Sequence, residues 1–159
     1  MTPSLLRVRH LPLLTFLVGA LSSCAPTLWT SHDITGRIFN APAPADIEIE
    51  LVETGTGNKI SPNGSETAHV DGFPMLYGLD FPGYLRQGGG TFQVIAYLDR
   101  NQNHVRDPGE ASARSQRMSI EIGAPGRQPT ATAVRAGLNG VVNGKAVSWG
   151  QVQGYDLRF

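Results

Sequence analysis

The chain has 159 residues and carries 13 basic against 13 acidic side chains, a formal net charge of zero that offers neither the basic footprint of a nucleic-acid binder nor a polybasic run for anionic lipid. One cysteine excludes an intramolecular disulfide. Nineteen glycines and eleven prolines, with no ten-residue window of helical period after residue 24, point to an all-β fold.

Residues 1–23 form a processing segment. Arg7, Arg9 and His10 make a basic start, and the apolar run 11–21 is long enough for a secretory h-region but too short to span a bilayer. Leu21-Ser22-Ser23-Cys24 follows at the end of that run and resembles the bacterial lipobox, in which the cysteine is lipidated and becomes the first mature residue. The resemblance implies export and a lipid anchor at Cys24 in the bacterial cell envelope. Ala25, where Asp would favour retention at the inner membrane, implies the outer membrane in a two-membrane envelope. Residues 24–31 are then a short tether of at most about 25 Å. Removing 1–23 takes Arg7 and Arg9, leaving 11 basic against 13 acidic residues, net −2, on a mature chain whose single domain is expected over 32–159.

Strands are expected in order. Ile34, Gly36 and Ile38 alternate with Thr35, Arg37 and Phe39 over 33–40, and the proline-bearing run 41–45 ends the ladder. Over 46–53, Ile47, Ile49 and Leu51 face one way and Glu48, Glu50 and Glu53 the other, the pattern of a half-buried strand with a solvated face. Residues 54–66 are turn chemistry. Gly55 and Gly57 do not open a dinucleotide fingerprint, because Ile60 stands at the third glycine position and no helix follows. Short strands are expected at 67–70 and 75–81, and 87–90 is a flexible turn.

Over 91–98, Phe92, Val94, Ala96 and Leu98 share one face while Ile95 and Tyr97 occupy the other. Apolar residues on both faces predict an interior strand. It runs into DRNQNHVRDPGE, where Asp99, Asn101, Asn103, the carbonyl of Val105, Asp107 and Glu110 stand at positions 1, 3, 5, 7, 9 and 12, the register in which oxygens wrap Ca²⁺. A hard cation requires six to eight oxygens and no soft ligands, which this loop matches. The sharp turn at position 6 normally takes glycine and here is His104, which reaches a left-handed conformation at a cost of roughly 1 kcal/mol. Arg100 and Arg106 offset the three carboxylates, so the expected affinity is about 10⁻⁴–10⁻³ M. A solvated turn held by Asx-type hydrogen bonds is the alternative reading. No helical pattern flanks the loop, so it resembles the strand-borne D-x-N-x-N-G-x-x-D-x-x-E loops of the B repeats of staphylococcal adhesins.

Further strands are expected at 118–122, 130–136 and 155–159. The two Asn-Gly pairs of 138–145 signal a hairpin. Ile34-Thr35-Gly36-Arg37-Ile38, the strand 47–52, Thr67-Ala68-His69-Val70-Asp71-Gly72-Phe73 and Gly90-Thr91-Phe92-Gln93-Val94-Ile95-Ala96-Tyr97 together resemble the carboxypeptidase-regulatory or transthyretin-like family, with 74–89 departing as an insertion. That resemblance implies a single Ig-like or transthyretin-like β-sandwich of about seven to eight strands.

No enzyme constellation is present. His32, His69 and His104 show no zinc spacing, and no G-x-S-x-G elbow occurs. Two functions remain: an envelope lipoprotein whose calcium-stabilised β domain is a structural scaffold, or a module that binds an extracellular polysaccharide, peptidoglycan or protein through aromatics such as Trp29, Tyr77, Tyr84 and Trp149. Partners expected are the lipid bilayer and an envelope component, without nucleic acid.

Overall fold

The computed structural model describes residues 32–42, 46–60, 75–159 and, as backbone alone, 69–71. The signal segment, the lipobox with Cys24, the tether and Trp29 lie outside the described residues.

The chain is all-β. Eleven strands among the described residues form one curled sheet: β1 Ile34–Phe39, β2 Ile47–Glu53, β3 Lys59–Ile60, β4 His69–Asp71, β5 Leu76–Leu79, β6 Gly90–Leu98, β7 Ser112–Arg114, β8 Met118–Gly123, β9 Gly137–Val142, β10 Lys145–Trp149 and β11 Leu157–Arg158. The number exceeds the seven to eight expected; β4 overlaps the strand expected at 67–70 and β11 falls within that expected at 155–159, whereas β3 and β7 have no counterpart because two or three residues are too few for alternation to show in a sequence. One helical turn, α1 Leu85–Gly88, precedes β6, where a flexible turn is expected from the glycines alone.

β6 is the interior strand its two apolar faces predict. β2 pairs along seven of its residues, from Ile47↔Leu98 to Glu53↔Phe92, while β8 and β7 share the opposite edge. From β7 the sheet continues through β11 and β1 to β5 and β4, and from β8 to β9 and β10. β1 is bonded on both edges, antiparallel to β5 and parallel to β11, which makes the sheet continuous as it curls. Its inner face holds the core, including Ile34, Ile38, Leu51, Phe92, Val94, Ile120, Leu138 and Leu157.

Two buried tyrosines fasten the curl. The Tyr77 hydroxyl donates to the carbonyl of Tyr155, and the Val94 N–H donates to the Tyr155 hydroxyl at 3.4 Å. Burial pushes the Tyr155 phenol up to about 12, against the lowering effect of the Val94 hydrogen bond. Phe81 packs edge-on against Phe92, ring centroids 5.0 Å apart.

The Asn-Gly signal separates into two outcomes. Asn143 and Gly144, at φ 50° and 73°, make the tight turn between β9 and β10, as two positive φ values in a hairpin require. Asn139-Gly140 instead lies within β9. The Asn139 amide is fully buried and bonds the carbonyls of Glu121, Arg135 and Gly137, so it serves as a clamp.

Residues 130–136 are not the strand expected. Only Thr132 bridges to Lys145, and Ala133 turns left-handed at φ 61°. The reason is Glu121, whose buried carboxylate accepts from the N–H of Thr130 (2.6 Å), the Thr130 hydroxyl (2.8 Å) and the N–H of Ala131 (3.0 Å). This carboxylate takes the backbone donors a ladder would use. Glu121→Ala is expected to lower stability by roughly 1–3 kcal/mol, measured as a urea midpoint, because it strands the buried N–H of Ala131 and removes the acceptor of the part-buried Thr130 N–H. An unchanged midpoint would mean that the strap does not depend on the carboxylate.

Candidate metal loop and its docking on the sheet

The loop 99–110 begins where β6 loses its partner. The N–H of Asp99 still bonds the carbonyl of Asp46, and the chain then turns away. Asp99 is 2% exposed and its carboxylate winds the first half of the loop: Oδ1 accepts from Asn103 N–H at 3.1 Å and Oδ2 from His104 N–H at 2.8 Å. Asn101 Oδ1 accepts from Asn103 N–H at 3.3 Å, and Asn103 Oδ1 accepts from Val105 N–H at 2.8 Å. Successive short polar side chains thus hold successive backbone donors, which draws positions 1, 3 and 5 to one side.

That winding requires left-handed backbone at two residues. Gln102 sits at φ 57° and His104, at the position where glycine is usual, at φ 58°. His104 meets the conformational demand, and a set of contacts offsets its cost. Its Nδ1 lies 3.1 Å from Glu48 Oε1, and its carbonyl accepts from Lys59 Nζ at 3.0 Å.

The second half closes on Asp107. Both Asn101 Nδ2 and Asn103 Nδ2 donate to Asp107 Oδ2 at 2.9 Å, and the N–H of Asp107 donates to Glu110 Oε2 at 3.0 Å. Asn101, Asn103 and Asp107 therefore share one centre, with Glu110 folded back beside it and Asp99 fixing the turn that carries them. As placed, each asparagine turns Nδ2 toward that centre and spends Oδ1 on a loop N–H, so Asp107 and Glu110 supply the carboxylate oxygens there, and an all-oxygen shell for a hard ion requires Asn101 and Asn103 to exchange those bonds for the cation. Asn101, Asn103 and Val105 are exposed, and Asp107 and Glu110 half-buried, so the centre is reachable from solvent.

The acid–imidazole group that the fold brings within ligand distance is a different one: Glu48, Asp99 and His104, with atoms within 4.8 Å of one another. Sequence reasoning misses Glu48 because it lies on β2, outside the loop. It misses Glu50 for the same reason. Glu50, expected on a solvated face, is 3% exposed, because Arg106 folds over it and pairs through Nε. The loop is thus docked back on the outer face of β2 and β6 through Glu48, Glu50 and Lys59. Val52, Ile95 and Tyr97 on that outer face are buried although they lie outside the main core, and Lys59 Nζ stands 5.9 Å from the Tyr97 ring centroid. Glutamates opposite Ile95 and Tyr97 on the neighbouring strand were the available signal, since two apolar outward residues need a cover.

The aromatic set expected for ligand binding disperses. Tyr77 is in the core at 3% exposure. Tyr84 and Trp149 are exposed on separate elements, and the Arg135 guanidinium lies 4.2 Å from the Trp149 ring centroid.

Comparison with family models, curated proteins and solved structures finds no match.

Proposed function

We propose that this chain is an exported lipoprotein, anchored at Cys24 to the bacterial envelope, whose all-β domain is a structural module stiffened by calcium in the loop 99–110. The observation that carries the reading is the closure of that loop: Asp99, Asn101, Asn103, Asp107 and Glu110 are linked in the oxygen register by hydrogen bonds, with His104 in the left-handed conformation the turn requires. Val105 would supply its backbone carbonyl at position 7. The docked loop connects the ion to β2 and β6, so binding would report directly on the stability of the sheet. The transthyretin-like resemblance of the strand motifs is consistent with a scaffold role.

At an affinity of about 10⁻⁴ M and free calcium about ten times higher, linkage adds roughly 1.4 kcal/mol to stability. The melting temperature of the mature protein is expected to rise by about 3–6 °C between chelator and millimolar calcium. Magnesium at the same concentration should do less, since it demands a tight octahedral shell. Equal melting in chelator and calcium would remove the ion from this account. For the anchor, Cys24→Ser is expected to move the protein from floated membranes to the soluble fraction, because a diacylglycerol with an added acyl chain binds far more strongly than a single chain. Unchanged flotation would count against lipidation.

A further inference from the structure

Four of the chain's eleven arginines converge on one part of the fold. Arg37 on β1, Arg158 on β11 and Arg114 on β7 are separated widely in sequence, yet strand pairing places them on one outward sheet face. Phe39 pairs with Arg158, and Arg158 pairs with Arg114. Their inward neighbours Ile38, Leu157 and Ala113 are buried in the core, which fixes the parity. Arg37, two residues before Phe39, shares that outward side. Arg117, on the turn between β7 and β8, lines a shallow cavity with Arg158 and Asp156.

Among the described residues, this face is not neutralised in the way that three other arginines are. Arg86 pairs with Asp33, Arg106 with Glu50, and Arg127 donates to the carbonyls of Gly88 and Gly89. Among the described residues, the guanidinium groups of Arg37, Arg114 and Arg117 have no ion pair or hydrogen bond, and that of Arg158 rests over the Phe39 ring at 4.2 Å. Asp156 uses a carboxylate oxygen to accept from the backbone N–H of Arg37. Like charges directly opposite each other on neighbouring strands, as Arg114 and Arg158 are, destabilise a sheet. The cluster is therefore a cost to folding that an external anion would repay.

We propose that the outward face of β1, β11 and β7 docks on the phosphate groups of an anionic lipid surface. Guanidinium forks match phosphate oxygens in pairs, and the outward face of three neighbouring strands presents several of them together. Position selects the membrane over a soluble polyanion, a step that rests on the lipid anchor at Cys24. Arg37 is thirteen residues from Cys24, at most about 45 Å of extended chain, and lies on the first strand after the tether. Each arginine at an anionic surface raises partitioning roughly five-fold, and salt weakens the effect.

The mature protein is reconstituted on phosphatidylcholine vesicles and on equimolar phosphatidylcholine and phosphatidylglycerol vesicles, then treated with phenylglyoxal and mapped by mass spectrometry. On the anionic vesicles, modification of Arg37, Arg114, Arg117 and Arg158 is expected to slow about five-fold or more, with Arg127 and Arg135 unchanged and the protection lost in high salt. Arg114→Glu should weaken protection at Arg37 and Arg158 while raising the melting temperature, because it turns a repulsive cross-strand pair into an attractive one; a fall in melting temperature with unchanged protection would assign the arginine a structural role and overturn the proposal. Equal modification on both vesicles would overturn it too, as would the same protection from inorganic polyphosphate added to neutral vesicles. Flotation with neutral vesicles reads the anchor separately. Protein that leaves neutral vesicles but is protected on anionic ones would sink the anchor and keep the docking face.

Discussion

Gly36→Ala is expected to remove most or all of the domain's stability, roughly 3–5 kcal/mol or more. A Cβ built at Gly36 would stand 2.2 Å from the carbonyl oxygen and 2.6 Å from the carbonyl carbon of Tyr155, and 2.8 Å from Cε1 of Tyr77. Two of these three atoms belong to backbone, so no side-chain rotation relieves the overlap. The same carbonyl accepts the Tyr77 hydroxyl, and the N–H of Tyr155 donates to the carbonyl of Thr35, so moving the segment aside would break a bond to β5 and a bond to β1. Glycine is required here by close approach, since the residue is a strand member and not a left-handed turn. Gly55→Ala, where nothing lies within 4 Å, is the matched control and should be near neutral. Denaturant unfolding of both variants decides the matter; equal midpoints would mean that the sheet does not close through this contact.

The second large effect is expected at Asp99. Asp99→Ala removes a buried carboxylate that holds the part-buried N–H groups of Asn103 and His104, and should cost roughly 1–3 kcal/mol even in chelator. It should also remove the calcium response, because the turn that carries Asn101 and Asn103 would unwind. Glu110→Gln separates the two roles. The amide keeps an oxygen for the Asp107 N–H, so stability in chelator should change by less than about 0.5 kcal/mol, while the loss of a bidentate carboxylate should abolish stabilisation by calcium. A Glu110→Gln protein that still gains stability from calcium would place the ion elsewhere.

How much of this was legible follows from the range of each signal. The interior position of β6 could be read directly, because a strand with Val94 on one face and Ile95 on the other has no place at a sheet edge. The Asn143-Gly144 turn could be read for a similar local reason: two left-handed residues fit one hairpin geometry. The left-handed demand on His104 was foreseeable from loop position alone.

What was not legible depends on chain segments far apart. Glu48 and Glu50 alternate with isoleucines as on any half-solvated strand, and only the return of residues 104–106 over β2 makes Glu50 a buried partner of Arg106. The Asn139-Gly140 pair has the same composition as the true turn, but Arg135, Gly137 and Glu121 supply acceptors that hold its amide inside. The arginine face escapes a reading from net charge entirely, since the pairing of β1, β11 and β7 assembles it from separate parts of the chain.

Calorimetric titration of calcium into the chelator-treated mature protein tests the central claim most directly. A single saturable site with a dissociation constant of about 10⁻⁴–10⁻³ M, absent in Glu110→Gln, is the predicted result. No saturable heat up to about 10⁻² M, or an unchanged isotherm in Glu110→Gln, would contradict a calcium centre in this loop.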